Sequence, residues 1–221
     1  MEKEDIKVFL GSKYDNIIQK VAETYIPKDY VDITKNLDAL ITHDIAIIKL
    51  KNPFPKVKKF LEIGGKPEDF EDEKAIECTC IGFGAINKFG HMDFKGRIMT
   101  TNVTHGEEAC EKHSSATKTN WKQYLCSTPG RLTMLCQGDS GGPMICNGKL
   151  YGVCSFFLNY KDLGRNICGG PDMQSVHTFI HFHLKWIVDS GYHLQHSYRY
   201  MYSVPLDYGS QATVAMLVEV L

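Results

Sequence analysis

The feature that most limits how this chain can fold is its set of eight cysteines, all of which fall between residues 78 and 168. Cysteines at this density indicate disulfide bonds and an oxidising compartment, because cytosolic thiols are kept reduced. None of them forms the paired Cys-x2-Cys spacing of a zinc ribbon. The N-terminus, residues 1–5, is polar and lacks the apolar segment of a secretory signal. The cysteines and the N-terminus therefore point to different compartments.

The composition excludes two kinds of partner. The chain has 221 residues, with 25 Lys and Arg against 26 Asp and Glu, which gives a formal net charge of −1 without a block of like charges. This balance argues against a nucleic-acid binder or a polybasic membrane anchor. No apolar run approaches the roughly 18 residues that a membrane span needs. We therefore expect neither nucleic acid nor a membrane as a partner.

Short apolar segments between glycine-rich or polar turns predict an all-β chain. One helical pattern, residues 178–188, precedes Gly191. The predicted domains are a remnant of a first β-barrel (1–62), a second β-barrel with its closing helix (63–191) and a C-terminal tail (192–221). The tail has no assigned role and is either weakly packed or one extra strand. The predicted strands span 6–10, 44–50, 76–83, 97–103, 142–146 and 150–156.

The segment 136–143, CQGDSGGP, has the residues of a nucleophile loop. Glycines around Ser140 allow a sharp turn, so that the backbone N–H groups of Gly138 and Ser140 can point at one developing oxyanion. The eight residues together resemble the active-site loop of the chymotrypsin/trypsin family of serine endopeptidases. The resemblance implies that Ser140 is the nucleophile and that Gly138 and Ser140 form the oxyanion hole.

A second segment, 42–50 (THDIAIIKL), resembles the strand that carries the family's triad aspartate. Asp44 stands at that position, where it would orient a histidine and stabilise its imidazolium. The resemblance extends over roughly residues 6–186. It implies an all-β, trypsin-like double antiparallel β-barrel with an incomplete first barrel and a C-terminal helix.

The same resemblance implies three disulfide bonds that brace the second barrel. Cys80 and Cys154 are additional to this set, and they are either a fourth bridge across neighbouring strands or, as we favour, two buried thiols. The implied pairs are Cys78 with Cys146, Cys110 with Cys126, and Cys136 with Cys168.

The family's general base is the part of the pattern that the sequence lacks. The family carries it in an Ala-Ala-His-Cys segment upstream of the aspartate, and no such segment precedes Asp44. If His43 and Asp44 both lie on a strand, they point to opposite faces, so we predict a structural role for His43. The family's activation sequence, Arg followed by Ile-Val-Gly-Gly, is also absent. Asp139 would then lack the α-amino group that is its usual partner.

These gaps predict a chain that starts just after the family's His-Cys pair and lacks about three strands of the first barrel. Such a half-barrel would leave the apolar faces of residues 6–10 and 45–50 exposed and the protein poorly soluble. The family resemblance implies an extracellular, secreted protein, although this chain carries no signal peptide.

The predicted specificity pocket departs from a trypsin-like one. By the same resemblance, Met134 stands at the pocket base, where an Asp would bind an Arg or Lys side chain. Ser155 belongs to the strand that forms one wall, and Phe157 and Ser175 stand where the walls usually carry glycines. We therefore predict either a preference for small apolar side chains or an occluded pocket, unless these side chains rotate away.

The leading functional hypothesis is a serine endopeptidase that works by acyl transfer through Ser140, inactive in this chain because the base is absent. The alternative is a catalytically dead homologue that acts as a binding or regulatory scaffold. The expected partner is a polypeptide substrate or a protein inhibitor, and no cofactor is expected. Neither acidic nor thiolate residues stand beside His177, His181 and His183 in the sequence, so no metal site is predicted there.

Overall fold

A computed structural model of the chain describes residues 6–10, 17–30, 42–55, 61–92, 95–110, 119–129, 134–159, 161, 168–190 and 216–220. Within these ranges the backbone forms ten strands and a C-terminal helix, α1 (Ile180–Asp189), with 3₁₀ segments at Pro67–Glu73 and Trp121–Gln123. The strands are β1 (Lys7–Leu10), β2 (Ile17–Tyr25), β3 (Ala46–Leu50), β4 (Ile76–Gly82), β5 (Arg97–Thr104), β6 (Tyr124–Ser127), β7 (Pro143–Cys146), β8 (Lys149–Asn159), β9 (Met173–Phe179) and β10 (Met216–Val220).

The first sheet contains four described strands in the order β1-β2-β3-β10. The first three pair antiparallel, whereas β10 runs parallel to β3. Strand β10 is thus the extra strand that was one of the two predictions for the tail, and residues 192–215 lie outside the described residues. The sequence did not predict β2, because a register shift between Val21 and Glu23 breaks the alternation of apolar and polar side chains.

The second sheet is a closed six-stranded barrel in the order β4-β5-β6-β9-β8-β7. Every neighbouring pair in it is antiparallel, and closure leaves no strand edge unpaired. Together with α1, this barrel confirms the predicted trypsin-like all-β fold. Helix α1 begins at Ile180 rather than at Thr178, because Thr178 and Phe179 still belong to β9.

Helix α1 packs where the first sheet meets the barrel. Ile180 and Ile187 of α1 are fully buried in a cluster with Ile45 and Ile47 of the first sheet and Val153 of β8. The cluster holds the start of β3 against the barrel, which fixes the position of the residues just before β3. Within the described ranges, no helix is both long enough and apolar enough to cross a membrane.

The prediction of exposed apolar faces in the N-terminal segments is wrong. Ile45, Ile47 and Leu50 are at most 1% exposed, and Val8 is 1% exposed. Helix α1 and the barrel cover the side chains around Ile45, while β10 pairs with the backbone edge of β3. The contacts that cover these N-terminal residues thus come from the barrel and from the C-terminal part of the chain.

Disulfide bonds join the pairs that the resemblance implies. Cys78 and Cys146 stand directly opposite each other on β4 and β7. The bond at Cys136 holds the start of the nucleophile loop. The three bonds are Cys78–Cys146, Cys110–Cys126 and Cys136–Cys168.

The two remaining cysteines, Cys80 and Cys154, are free and buried, as favoured from the sequence. The alternative of a bridge across neighbouring strands is wrong. Cys80 lies on β4 and Cys154 on β8, and β7 runs between these two strands. Both thiols lie in the barrel core, where they pack beside apolar side chains such as Met144 and Phe179.

Candidate active site

The nucleophile loop is held by backbone hydrogen bonds to β8. The amide of Gly141 donates to the carbonyl oxygen of Cys154 at 2.7 Å, and the amide of Cys154 donates to that of Gly142 at 2.9 Å. A Cβ on Gly142 would collide with the carbonyl oxygen of Ile81. The loop therefore needs glycine here, because β4 and the loop approach each other with backbone against backbone.

Ser140 contacts β8 through Ser155. Its Oγ donates to the carbonyl oxygen of Ser155 at 2.9 Å. Ser155 lies at a register shift, since Cys154 pairs with His177 and Phe156 with the adjacent Val176. Such a bulge takes one residue out of the ladder and redirects its polar groups, which frees the Ser155 carbonyl for Ser140.

The same Ser155 also contacts the predicted triad aspartate. Ser155 Oγ donates a short hydrogen bond to Oδ2 of Asp44. Asp44 is 2% exposed, and its backbone carbonyl accepts from Thr178 Oγ1 at 2.8 Å. Two hydrogen bonds through one serine therefore bring Ser140 and Asp44, which lie far apart in the sequence, into one site.

His43 does not reach this site. It precedes β3 in a bend with a left-handed φ of 55°, so the strand geometry assumed from the sequence does not apply. Its backbone amide donates to Gln123 Oε1 at 2.8 Å, and its ring packs against Phe182 and His183 of α1. The position against α1 agrees with the predicted structural role. Among the described residues, no histidine ring nitrogen bonds to Ser140 Oγ.

Asp139 is bound by backbone amides. Its Oδ1 accepts from Gly84 N at 2.8 Å, and its Oδ2 accepts from Cys136 N at 2.9 Å. Burial raises the pKa of this carboxyl, and the two amide bonds partly oppose the shift. These amides are its hydrogen-bond donors within the described part of the chain, where the resemblance implies an α-amino group.

The Gly82-Phe83-Gly84 turn is shaped to receive Asp139. A Cβ on Gly82 would overlap Asp139 Oδ1, and one on Gly84 would lie 2.6 Å from Asp139 Cγ and from its backbone nitrogen. Neither position has room for a side chain while the Asp139 carboxylate stays in place. The turn and the loop are thus fitted to each other.

The predicted oxyanion donors keep their amides available. Gly138 has a φ of 92°, which favours glycine. It lies in the loop that the backbone hydrogen bonds of Gly141 and Gly142 with Cys154 hold in place. Among the described residues, the amides of Gly138 and Ser140 have no acceptor, whereas the amide of Asp139 between them donates to the carbonyl oxygen of Cys136 at 3.1 Å. The arrangement can supply two N–H groups to an incoming carbonyl oxygen.

The predicted pocket residues lie together on β8, β9 and the start of the loop. Phe157 and Ser175 stand directly opposite each other across β8 and β9. Ser175 is fully buried, and its Oγ accepts from Leu135 N at 3.2 Å. Met134 Sδ lies 3.1 Å from Gly169 N. The hydroxyl of Ser175 therefore fills space between the loop and β9.

Two features of the site were missed from the sequence. Ser155 was assigned only to the pocket wall, yet it joins Ser140 to Asp44. The sequence signal was a lone polar side chain in the apolar segment of β8, but the bulge that directs it depends on pairing with β9. The fit of Gly82 and Gly84 around Asp139 was the other feature, since it depends on a contact across the barrel.

Comparison with known proteins gives a consistent result. The sequence model of the family described as Trypsin matches residues 2–181. Glandular kallikrein of Sus scrofa is 28% identical over 152 residues, which is 67% of this chain and 57% of that protein. Snake venom serine protease homolog KN7 of Trimeresurus stejnegeri is 25% identical over 194 residues, which is 84% of this chain and 68% of the homolog.

A solved structure shows the same fold. Neuropsin, described as a serine protease expressed in the limbic system of mouse brain, superposes with a TM-score of 0.61 at 21% identity. The match covers 79% of this chain and 72% of neuropsin. This chain spans only 57% of the kallikrein's length.

Proposed function

Since the chain belongs to the trypsin family of serine proteases, we propose that it carries the nucleophile, the orienting carboxylate and the oxyanion donors of a serine endopeptidase, without the general base. Ser140 is the nucleophile, Asp44 the carboxylate, and the amides of Gly138 and Ser140 the oxyanion hole. The 221-residue chain by itself is therefore a poor hydrolase.

The observation that carries this proposal is the pair of hydrogen bonds through Ser155. Asp44 lies just before β3 of the first sheet, and Ser140 lies in the loop just before β7 of the barrel, so that a contact between them links the two sheets. The Ser155 carbonyl oxygen accepts a hydrogen bond from Ser140 Oγ, and Ser155 Oγ donates a hydrogen bond to Asp44 Oδ2. A base inserted between Asp44 and Ser140 would meet an acceptor on one side and a nucleophile on the other.

Acyl transfer also needs a group that takes up the proton of Ser140. A backbone carbonyl such as that of Ser155 accepts a hydrogen bond but does not accept the proton. Loss of a triad member lowers kcat by up to about 10⁶-fold, and the residual rate comes from substrate binding and the oxyanion hole. We expect peptide hydrolysis by this chain to fall in that residual range.

The experiment is to supply the base from solution. A fluorophosphonate probe labels a competent serine as Oγ bonds to phosphorus, fluoride leaves, and the serine proton passes to a base. We expect slow labelling of Ser140 in buffer and faster labelling as free imidazole is added. The matched control is Ser140→Ala, which removes the nucleophile and should abolish labelling at every imidazole concentration.

Two results would contradict the proposal. Rapid labelling without imidazole, lost in Ser140→Ala, would show that this chain supplies its own base. No labelling of a folded chain at any imidazole concentration would favour the second candidate, a protease homologue that binds polypeptides without cleaving them. The pairing of Phe157 with Ser175, in place of two pocket glycines, favours that candidate.

The partner class and the location follow from the family. We propose that the site binds a polypeptide segment or the loop of a protein inhibitor, and that the protein works outside the cell, where its three disulfide bonds are stable. We also propose the domain limits 1–62, 63–191 and 192–221, with the last segment contributing β10 to the first sheet.

A further inference from the structure

Three side chains that carry a sulfur or nitrogen ligand atom lie close together inside the barrel. Cys80 of β4, Cys154 of β8 and His177 of β9 are each at most 2% exposed. Their Sγ atoms and a ring nitrogen of His177 all lie within 4.8 Å of one another. Cys154 and His177 are direct partners across β8 and β9. Neither thiol belongs to a disulfide bond.

His177 is unusual in this cluster because its polar ring nitrogens are buried. Within the described part of the chain, neither of its ring nitrogens has a hydrogen-bond partner, although the residue is fully buried. A neutral imidazole has one N–H donor and one acceptor nitrogen, and burying such groups without partners is costly. Buried polar atoms of this kind call for an explanation such as an ion that the side chain binds.

A disulfide between the two thiols does not account for the cluster. Cys80 pairs with Met144 of β7, and Met144 pairs with Gly152 of β8, two residues before Cys154. Two strand spacings separate the backbones by about 9 Å. A disulfide requires Cα atoms no more than about 7 Å apart. From this spacing we infer that the two backbones are too far apart for a direct bond, although the two Sγ atoms lie within 4.8 Å of each other.

We propose that Cys80, Cys154 and His177 form a binding site for a thiophilic divalent metal ion, Zn²⁺. Thiolate and imidazole are the ligands that zinc prefers in proteins. Two thiolates and a neutral imidazole balance the charge of Zn²⁺, so the occupied site adds no net charge to the barrel core. An uncompensated buried charge would be costly there.

The spacing of the donors fits this ion. With Zn–S bonds of about 2.3 Å and Zn–N bonds of about 2.0 Å, tetrahedral geometry places ligand atoms roughly 3.5–3.8 Å apart. Shifts of about 1 Å within side-chain rotamers therefore suffice to close the site. Three protein ligands leave one coordination position for an exchangeable ligand.

The protonation states of the free groups agree with a site that zinc must assemble. Burial lowers the pKa of His177 to about 3, so the ring is neutral and can act as a ligand. Burial, with the neighbouring Cys80, raises the pKa of the Cys154 thiol. Zinc binding to the Cys154 thiol therefore releases its proton to the buffer as the Zn–S bond forms.

The site lies directly behind the nucleophile loop. The backbone of Cys154 holds that loop through its bonds to Gly141 and Gly142. A zinc ion joining Cys154 to β4 and β9 restrains the strand against which Ser140 rests. The metal thus braces the site without touching the reacting atoms.

The experiment loads the folded chain, stripped with a chelator and kept in a reductant mild enough to leave its three disulfides intact. We expect about one equivalent of Zn²⁺ per chain in competition with a chromophoric chelator. Substitution with Co²⁺ should give the sulfur-to-cobalt charge-transfer absorption of thiolate ligation, which exposed histidines cannot produce. The Co²⁺ spectrum needs no variant, so it tests the site even where core variants fail to fold.

The variants separate the core site from surface binding. Cys154→Val and His177→Phe, which keep the core apolar and filled, should lose the charge-transfer band and the rise in melting temperature on zinc addition. His183→Phe, a matched change at another buried histidine, should keep both. A folded wild-type chain without the band, variants that retain it, or a Cys80–Cys154 disulfide in the isolated protein would overturn the proposal.

Discussion

Ser140 donates its hydroxyl proton to the carbonyl oxygen of Ser155 at 2.9 Å. In this arrangement the hydroxyl is ordered but not activated, because the acceptor cannot remove the proton. Ser140, Ser155, Asp44 and Asp139 thus belong to one preformed site, and each of them can be changed separately.

Asp44→Asn tests the orienting carboxylate. The amide has nearly the same shape, and its oxygen can still accept from Ser155, so we expect the free energy of unfolding to change by less than about 1 kcal/mol. Asparagine does not stabilise an imidazolium, so imidazole-promoted labelling of Ser140 should slow by at least about 10-fold. Labelling kinetics and urea unfolding measure the two effects. An unchanged labelling rate would remove Asp44 from the site.

Ser155→Ala tests the link between the two predicted triad residues. The variant leaves Asp44 Oδ2 without this donor in a buried position, which should lower the free energy of unfolding by about 1–3 kcal/mol. Urea unfolding provides the measurement. Thr100→Ala on the exposed face of β5 is the control and should stay within about 0.5 kcal/mol of the wild type. Equal effects of the two changes would contradict the role of Ser155.

Gly84→Ala tests the fit of the turn around Asp139. The added Cβ would lie 2.6 Å from Asp139 Cγ, so the carboxylate and the loop must move. We expect a loss of about 1–3 kcal/mol in stability and slower imidazole-promoted labelling of Ser140. Gly90→Ala is the control, since its Cβ meets nothing within 4 Å and only the left-handed backbone adds about 1 kcal/mol. It should leave labelling unchanged.

Phe157→Gly tests the pocket. If the ring narrows the slot beside Ser175, removing it should favour probes with a large apolar side chain over probes with a small one. The measurement is the ratio of imidazole-promoted labelling rates for two peptidyl phosphonates that differ only in that side chain. We expect the ratio to rise by about 10-fold or more, which is the range for a pocket that gains space for several methylene groups. A ratio equal to that of the wild type would mean that the Phe157 ring lies outside the slot.

His183→Phe tests acid stability. Burial and the nearby His43 lower the pKa of His183 to about 3, whereas an unfolded histidine titrates near 6.5. Between these values the unfolded chain binds one more proton, so stability falls as the pH falls, by up to about 1.4 kcal/mol per pH unit. Urea unfolding at about pH 6 and pH 4 should show a smaller pH dependence in the variant. An unchanged slope would mean that His183 is protonated in the folded chain.

The barrel was predictable because its strands carry local signals. Segments such as 76–83 and 150–156 are apolar and bounded by turns; the first forms β4 at nearly the predicted length, and the second forms the central part of the longer β8. Strand β6 was not predicted, since its four residues, 124–127, are too short for a clear pattern. Burial of Ile45 and Ile47 was also not predictable, because it depends on α1, which lies more than a hundred residues away.

The site was predictable only as far as its residues are contiguous. The glycines around Ser140 predicted the loop, and the segment that follows Asp44 predicted the position of the aspartate. The proximity of Cys80 to His177 was not predictable, because the two residues are far apart in the sequence and approach each other only across the barrel. Contacts between distant strands depend on register, which the sequence pattern alone does not specify.

The parallel pairing of β10 with β3 has a consequence for how the protein is made. Residues 216–220 are synthesised after the other strands of the sheet that they pair with. The barrel and its disulfide bonds can form before β10 pairs with the edge of β3. Until β10 pairs with it, that edge of β3 presents unpaired backbone groups with which another chain could pair.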